Sequence, residues 1–140
     1  MITETSIGEL KTSLRGMIIQ PQDAEYEMSR KVYTGMIDKC PRIIVRCMDA
    51  GDVILSVNYA RENDMLVSIR SGGHNAGGLG ICEGGMVIDL SLMKFTRVDP
   101  RARTVTAGGG CTWGDVDHAT HAFGMATPSG IISTTGVGGL

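Results

Sequence analysis

The chain predicts an α+β domain, and three features carry that expectation. A continuous β-branched run at Ile43-Ile44-Val45, a helical stretch over 49–60 and a second apolar run at Leu66-Val67-Ser68-Ile69 place strand, helix and strand within about 30 residues, the spacing of a βαβ unit. Three more strand-like runs follow between residues 86 and 107 with no helix between them, which breaks the alternation of a pure α/β fold. The 140 residues, 42% hydrophobic and 20% charged, suffice for one soluble domain with its own core.

At the start, Ser6-Ile7-Gly8-Glu9 has the form of a capping box, with Leu10 and Leu14 on one face of the following helix and Gly16 as its stop. Met17-Ile18-Ile19 reads as a brief strand closed by Pro21. Asp23 is then expected to cap a second helix that carries Tyr26, Met28, Arg30 and Tyr33 before Gly35, with Tyr33 in a packing role. After Pro41 the run Ile43-Ile44-Val45-Arg46-Cys47 is β-branched and continuous, as in a strand covered on both faces. Asp49 caps a third helix with Asp52 three residues on; Val53, Val57 and Ala60 recur at i, i+4 and i+7, and Asn63 offers a left-handed exit.

The strand at 66–69 runs into Arg70-Ser71-Gly72-Gly73-His74-Asn75-Ala76-Gly77-Gly78, the stretch around which the chain is organised. Adjacent glycines admit positive φ and carry no Cβ, so successive N–H groups can converge on an anion. A pyrophosphate is the natural guest, with His74 beside it. In open α/β sheets, ligands bind at the carboxyl ends of strands, which is where this loop sits. The same residues would also serve as a tight strand-to-strand turn with a solvated histidine, and the motif alone does not separate the two.

Beyond the loop, Gly84-Gly85 leads into Met86-Val87-Ile88-Asp89-Leu90, while 95–98 and 104–107 flank a basic turn at 99–103; these runs read as strands of a meander. Gly108-Gly109-Gly110 is backbone that another segment approaches closely. Thr112 caps a last helix with Asp115 at N3, an apolar stripe of Trp113, Val116, Ala119 and Phe123, and Gly124 at its end. His118 and His121 share a face beside Asp117; lacking a third ligand at convincing spacing, they read as a hydrated polar face rather than a zinc pair. The closing run from Thr127-Pro128 through Ser133-Thr134-Thr135-Gly136 to Gly139 is a second glycine-hydroxyl loop, able to offer N–H and O–H donors opposite the first.

Composition narrows the partners. The formal charge is −2 and the basic residues are scattered apart from Lys94, Arg97, Arg101 and Arg103, so no nucleic-acid partner is expected. The start of the chain lacks a basic, apolar leader, and no apolar run approaches the roughly 18 residues of a membrane span, so no membrane partner and a cytoplasmic location are expected. Cys40, Cys47, Cys82 and Cys111 are too far apart for a metal or redox pair and read as free structural thiols. The phosphate-loop fingerprint is absent, and Gly108-x-Gly110 reaches its next glycine one residue late at Gly114, which argues against a P-loop kinase or a dinucleotide Rossmann enzyme.

Four motifs then give a resemblance: Arg70-Ser71-Gly72-Gly73-His74-Asn75; Val87-Ile88-Asp89-Leu90-Ser91 with Met93; Ala107-Gly108-Gly109-Gly110-x-x-Trp113-Gly114-Asp115-Val116-Asp117; and Ala126-Thr127-Pro128 with Thr135-Gly136-Val137-Gly138-Gly139-Leu140. In this order and spacing they resemble the FAD-linked oxidases of the vanillyl-alcohol oxidase superfamily, and within it the berberine-bridge-like group that includes hydroxynicotine oxidases. The resemblance runs from about Gly16 to the last residue. It implies a PCMH-type FAD-binding domain of α+β class, of which this chain holds the N-terminal subdomain and the start of the second, with residues 1–36 as a helical lead-in and 37–140 as the FAD-binding domain. Arg70, Ser71, Gly72, Gly73, His74, Asn75 and Ala76 match the loop that wraps the pyrophosphate, and His74 matches the histidine bonded to the flavin 8α-methyl carbon. Ser133, Thr134, Thr135, Gly136 and Gly139 match a second loop along the diphosphate and the isoalloxazine side. A neutral imidazole nitrogen suits such a bond, whose electron-withdrawing character makes the flavin a stronger oxidant.

Two departures from the pattern bear on chemistry. Relatives with an additional cysteinyl bond carry cysteine within Gly-x-Cys-x-Thr, where this chain reads Gly130-Ile131-Ile132-Ser133-Thr134, so attachment is expected through His74 only, or as tight non-covalent binding. The family pattern also continues beyond Leu140 into a substrate domain with the general base, so these 140 residues alone are expected to be catalytically incomplete. The implied function is the FAD-binding portion of an oxidoreductase that oxidises an alcohol or amine carbon by hydride transfer to flavin, with a small-molecule substrate in the complete enzyme and oligomerisation left open. A stand-alone flavin- or nucleotide-binding module without catalysis, and an inactive truncated remnant, are the alternatives.

Overall fold

The computed structural model describes residues 4–140; the first three, part of the stretch read above for a leader, lie outside the described residues. The elements in chain order are α1 (Glu4–Ser13), β1 (Met17–Ile19), α2 (Tyr26–Ser29), β2 (Ile43–Arg46), α3 (Ala50–Glu62), β3 (Val67–Arg70), β4 (Met86–Asp89), β5 (Thr96–Asp99), β6 (Thr104–Ala107) and α4 (Trp113–His121), followed by a 3₁₀ turn at Val137–Gly139.

Two fully apolar runs decide the sheet. Ile43-Ile44-Val45 and Met86-Val87-Ile88 are completely buried and lie side by side in parallel, Ile43 opposite Met86 and Arg46 opposite Asp89. β3 pairs in parallel with the other side of β4, and β1 adds antiparallel to β2, giving the order β1-β2-β4-β3. β4 is therefore inserted between the two strands of the βαβ unit, and the expected meander does not form. Residues apolar at successive positions need cover on both faces, which only a central strand receives. β5 and β6 alternate between half-buried and exposed, and they pair only with each other as an antiparallel hairpin.

The alternation of side chains then builds a core on each face. Ile43, Val45, Met86 and Ile88 pack with Ile7 and Leu10 of α1 and with Tyr59 and Ala60 of α3. Ile44 and Val87 pack on the opposite face with Tyr26, Ile81 and Cys82. α4 lies against the β5–β6 hairpin.

Helix ends account for most of the remaining differences. α1 is already under way at Glu4, so Ser6 lies within it rather than capping it, and its hydroxyl sits 2.9 Å from that of Tyr59. α2 is a single turn; Asp23 instead closes the preceding turn, its carboxylate accepting from the Gln20 N–H at 2.8 Å. Asp49 does cap α3, accepting from the Asp52 N–H at 3.1 Å. Asn63, however, has φ −104°, and the left-handed residue is Asp64 at +50°. The buried face of α3 is Asp52, Ser56, Tyr59 and Ala60, leaving Val57 exposed, because the Asp52 carboxylate accepts from the N–H groups of Arg15, Gly16 and Met48 at 2.8–2.9 Å and turns that side inward. α4 ends at His121, before Phe123 can join its buried stripe of Val116 and Thr120.

All four cysteines are free; Cys40 is exposed and the others are buried, and burial pushes the Cys47 thiol up to about 11. Among the described residues no helix is long and apolar enough to cross a membrane.

Candidate cofactor site

The site begins with one register row of the sheet. Arg46, Asp89 and Arg70 end three adjacent parallel strands and lie opposite one another. Arg70 Nη2 donates to Asp89 Oδ2 at 2.7 Å, and Arg46 Nε lies 3.5 Å from the same oxygen. Asp89 Oδ1 accepts from the Ser91 N–H at 2.9 Å. Asp89 is 1% exposed, so the pairing is strong; with two guanidiniums against one carboxylate, the row keeps a surplus of positive charge where β3 enters its loop.

Three glycine segments meet there. Ser71 donates its hydroxyl hydrogen to the Gly109 carbonyl at 2.6 Å, tying the first loop to the triple-glycine segment. Gly72 and Gly136 cross face to face: a Cβ on Gly72 would stand 2.3 Å from the Gly136 nitrogen, and one on Gly136 would stand 2.2 Å from the Gly72 nitrogen. Only glycine at both positions permits this approach. The last loop is held from its other side by α4, where the N–H groups of Trp113 and Gly114 donate to the carbonyls of Thr135 and Ser133 at 3.0 and 2.8 Å, and by the Val137 N–H donating to the Cys111 carbonyl at 2.8 Å.

The start of α4 is fixed by Asp115, whose carboxylate accepts from the Thr112 N–H at 2.7 Å and lies 3.0 Å from the Lys94 ammonium. The backbone N–H of Thr112 and then Lys94 hold this carboxyl below the ordinary aspartate value.

His74 is half-buried and engaged at both ring nitrogens. Its Nε2 lies 3.0 Å from the Thr134 hydroxyl and its Nδ1 lies 3.3 Å from that of Thr135. The Tyr33 ring stacks on its face, with centroids 4.0 Å apart and planes 18° apart. Tyr33 was expected to pack in the core; it is 60% exposed and serves the loop instead, because α2 stops at Ser29 and frees the following residues to reach across.

A cleft of about 280 Å³ opens between the loops, lined by Arg70, Ser71, Gly72, Gly73, His74 and Asn75 from the first and Thr135, Gly136 and Gly139 from the last. Ile69, Leu79 and Leu140 supply apolar walls. Ala76 and Ser133 are exposed and outside this lining, and Thr134 reaches the site through His74. None of the N–H groups of residues 71–77 is engaged in a hydrogen bond among the described residues. Sequence reasoning missed Tyr33 and the anchoring role of Asp89; Asp89 falls within the motif at 87–91, but only strand pairing reveals the row it shares and what it holds. Across α4, His118 and His121 are exposed, and among the described residues no three His, Cys, Asp or Glu side chains gather as a metal site.

A glycine-lined cleft where parallel strands end, with donors on two facing loops, defines a cofactor-binding domain of the α+β class. Residues 41–140 match the family described as the FAD binding domain, and the chain belongs to that family. It is 37% identical over 128 residues to (R)-6-hydroxynicotine oxidase of Paenarthrobacter nicotinovorans, covering 91% of this chain and 28% of that one. It is 33% identical over 135 residues to an FAD-linked oxidoreductase of Dictyostelium discoideum, covering 96% and 29%. Among solved structures, 6-hydroxy-D-nicotine oxidase of Arthrobacter nicotinovorans superposes with a TM-score of 0.86 at 36% identity, over 89% of this chain and 27% of that one. A berberine-bridge-like enzyme of Physcomitrella patens, at 24% identity and a TM-score of 0.87 over 95% and 29%, shares the fold. The chain thus spans less than a third of the length of these relatives.

Proposed function

We propose that residues 37–140 form the FAD cradle of an FAD-dependent oxidoreductase, with residues 1–36 as a helical lead-in, and that the cofactor lies in the cleft between the 70–76 and 133–139 loops. The single observation that carries this reading is the run of unengaged N–H groups over 71–75, residues that line the cleft together with Thr135, Gly136 and Gly139 of the second loop beside the Gly72–Gly136 crossing. The donor set suits a diphosphate: backbone N–H groups, no side-chain bulk, and surplus positive charge from Arg70 and Arg46. The apolar walls at Ile69, Leu79 and Leu140 suit part of a flat ring system. At about 280 Å³ the cleft is at the low end of ligand sites, which run from roughly 300 to 1,000 Å³, so a dinucleotide would extend beyond it.

Bound flavin would supply a hydride acceptor; the residues here hold and orient it. The loop N–H groups would hold the diphosphate beside the positive charge of Arg70, while Ser71 braces the loop through Gly109 and Thr134 and Thr135 set the imidazole. A covalent link, where one forms, would use His74. Attachment of a ring nitrogen to the 8α-methyl carbon would release one of the two threonine contacts. The complete enzyme would oxidise an alcohol or amine carbon of a small molecule, with a base outside these residues taking the proton. Three buried free thiols support a reducing, cytoplasmic setting.

Titration of the purified chain with FAD, followed by quenching of flavin fluorescence, tests the cradle. Saturable binding that disappears in Gly136→Val, whose side chain cannot fit against Gly72, is the expected result. Equal binding by both proteins would place the cofactor elsewhere. Absence of turnover with an added substrate domain, despite saturable binding, would favour a flavin-binding module without catalysis.

A further inference from the structure

Tyr33 is placed by forces other than core burial. It is 60% exposed, yet its ring lies flat on His74 at 4.0 Å and its N–H donates to the Gly73 carbonyl at 3.0 Å. Its hydroxyl makes no hydrogen bond among the described residues. The segment that carries it is strapped down at both ends. Arg30 pairs with Glu27 at 2.8 Å and with Asp38, and Lys39 Nζ donates to the carbonyls of Gly78 and Ile81 at 3.1 and 3.3 Å. Between these ties, Val32 and Ile37 pack against the core. Residues 30–39 therefore run across the outer side of the glycine loop, and they precede the 41–140 stretch that matches the family.

We propose that Tyr33 is a positioning residue for His74, holding the imidazole by the face of its ring in the orientation presented to the cleft. The inference rests on the reading above that His74 faces the flavin. The hydroxyls of Thr134 and Thr135 direct the two ring nitrogens, but both lie on the far loop. A histidine on a glycine-rich loop keeps two rotatable side-chain bonds, and a stacked ring restricts the plane that those hydroxyls leave free. The hydroxyl of Tyr33 has no part in this, so phenylalanine serves as well.

The test uses the full chain and two readouts. In the chain without flavin, the histidine ring signals are recorded by NMR, with His74 assigned from His74→Ala. After FAD is added, the flavin that survives acid precipitation is followed over time. In Tyr33→Ala the His74 signals are expected to lose their ring-current displacement while those of His118 and His121 stay in place. Flavin attachment is expected to slow about two- to tenfold, the worth of one aromatic pair. Tyr33→Leu, which keeps an apolar side chain without a ring, should behave like alanine, and Tyr33→Phe should match the wild type. Unchanged His74 signals and attachment rate in Tyr33→Ala and Tyr33→Leu would overturn the proposal, as would a Tyr33→Phe chain as impaired as the alanine variant. A wild-type chain that shows the displaced His74 signals yet takes up no FAD would support the stack and contradict the cradle instead.

Discussion

Asp89 shows how much of the site rests on one carboxylate. It is fully enclosed, accepts from Arg70 at 2.7 Å and from the Ser91 N–H at 2.9 Å, and faces Arg46. Removing it leaves two guanidiniums without their shared carboxylate on the strands that flank β4, and breaking a buried pair in this way costs about 3–5 kcal/mol. Asp89→Ala is therefore expected to shift urea unfolding by that amount, whereas a change below about 1 kcal/mol, the worth of an exposed pair, would show that the row is hydrated. This residue also marks a limit of sequence reading. Arg70 and His74 were legible because glycines around them announce a loop; Asp89 sits in an apolar run whose partners become visible only when β4 enters between β2 and β3. Tyr33 was misread for a related reason: nothing local indicates that α2 stops after one turn.

At the level of elements, the strands were the legible part. Fully apolar runs at 43–45 and 86–88 name central strands, and the caps at Asp49 and Thr112 name the starts of α3 and α4. What the sequence could not supply was the order of strands, since a meander and an inserted central strand share one local pattern; burial on both faces chooses between them. The α4 start also ties the site to pH. Asp115 and Asp49 titrate below the ordinary aspartate value of about 3.9 in the folded chain, the first chiefly through the Thr112 N–H and Lys94, the second chiefly through the Asp52 N–H. A folded value lower than the unfolded one adds stability that is complete above the unfolded value and is lost as pH falls through the folded one. Thermal midpoints are therefore expected to hold steady from pH 7 to about 5 and to decline below about 4. Asp115→Asn should flatten part of that decline, and an acid profile identical to that of the wild type would assign the loss to other carboxylates.

For the whole molecule, the fold brings three glycine segments, far apart in sequence, to the end of one charged row. The 70–76 loop leaves β3, the triple glycine follows β6 and braces that loop through the Gly109 carbonyl, and the 133–139 loop is pinned by α4 and supplies the facing wall. Exposed apolar residues line this mouth, with Ile69 at 59%, Leu79 at 72% and Leu140 at 72%. Such surface is consistent with a chain that spans less than a third of its relatives.

Whether His74 meets a bound flavin is read most directly from the visible spectrum of the purified chain before and after acid precipitation, beside a His74→Ala control. Flavin absorbance that stays with the precipitated wild-type chain and is released from the variant is the result the account predicts. Flavin retained equally by both proteins, or absent from the wild type after saturation with FAD, would contradict it.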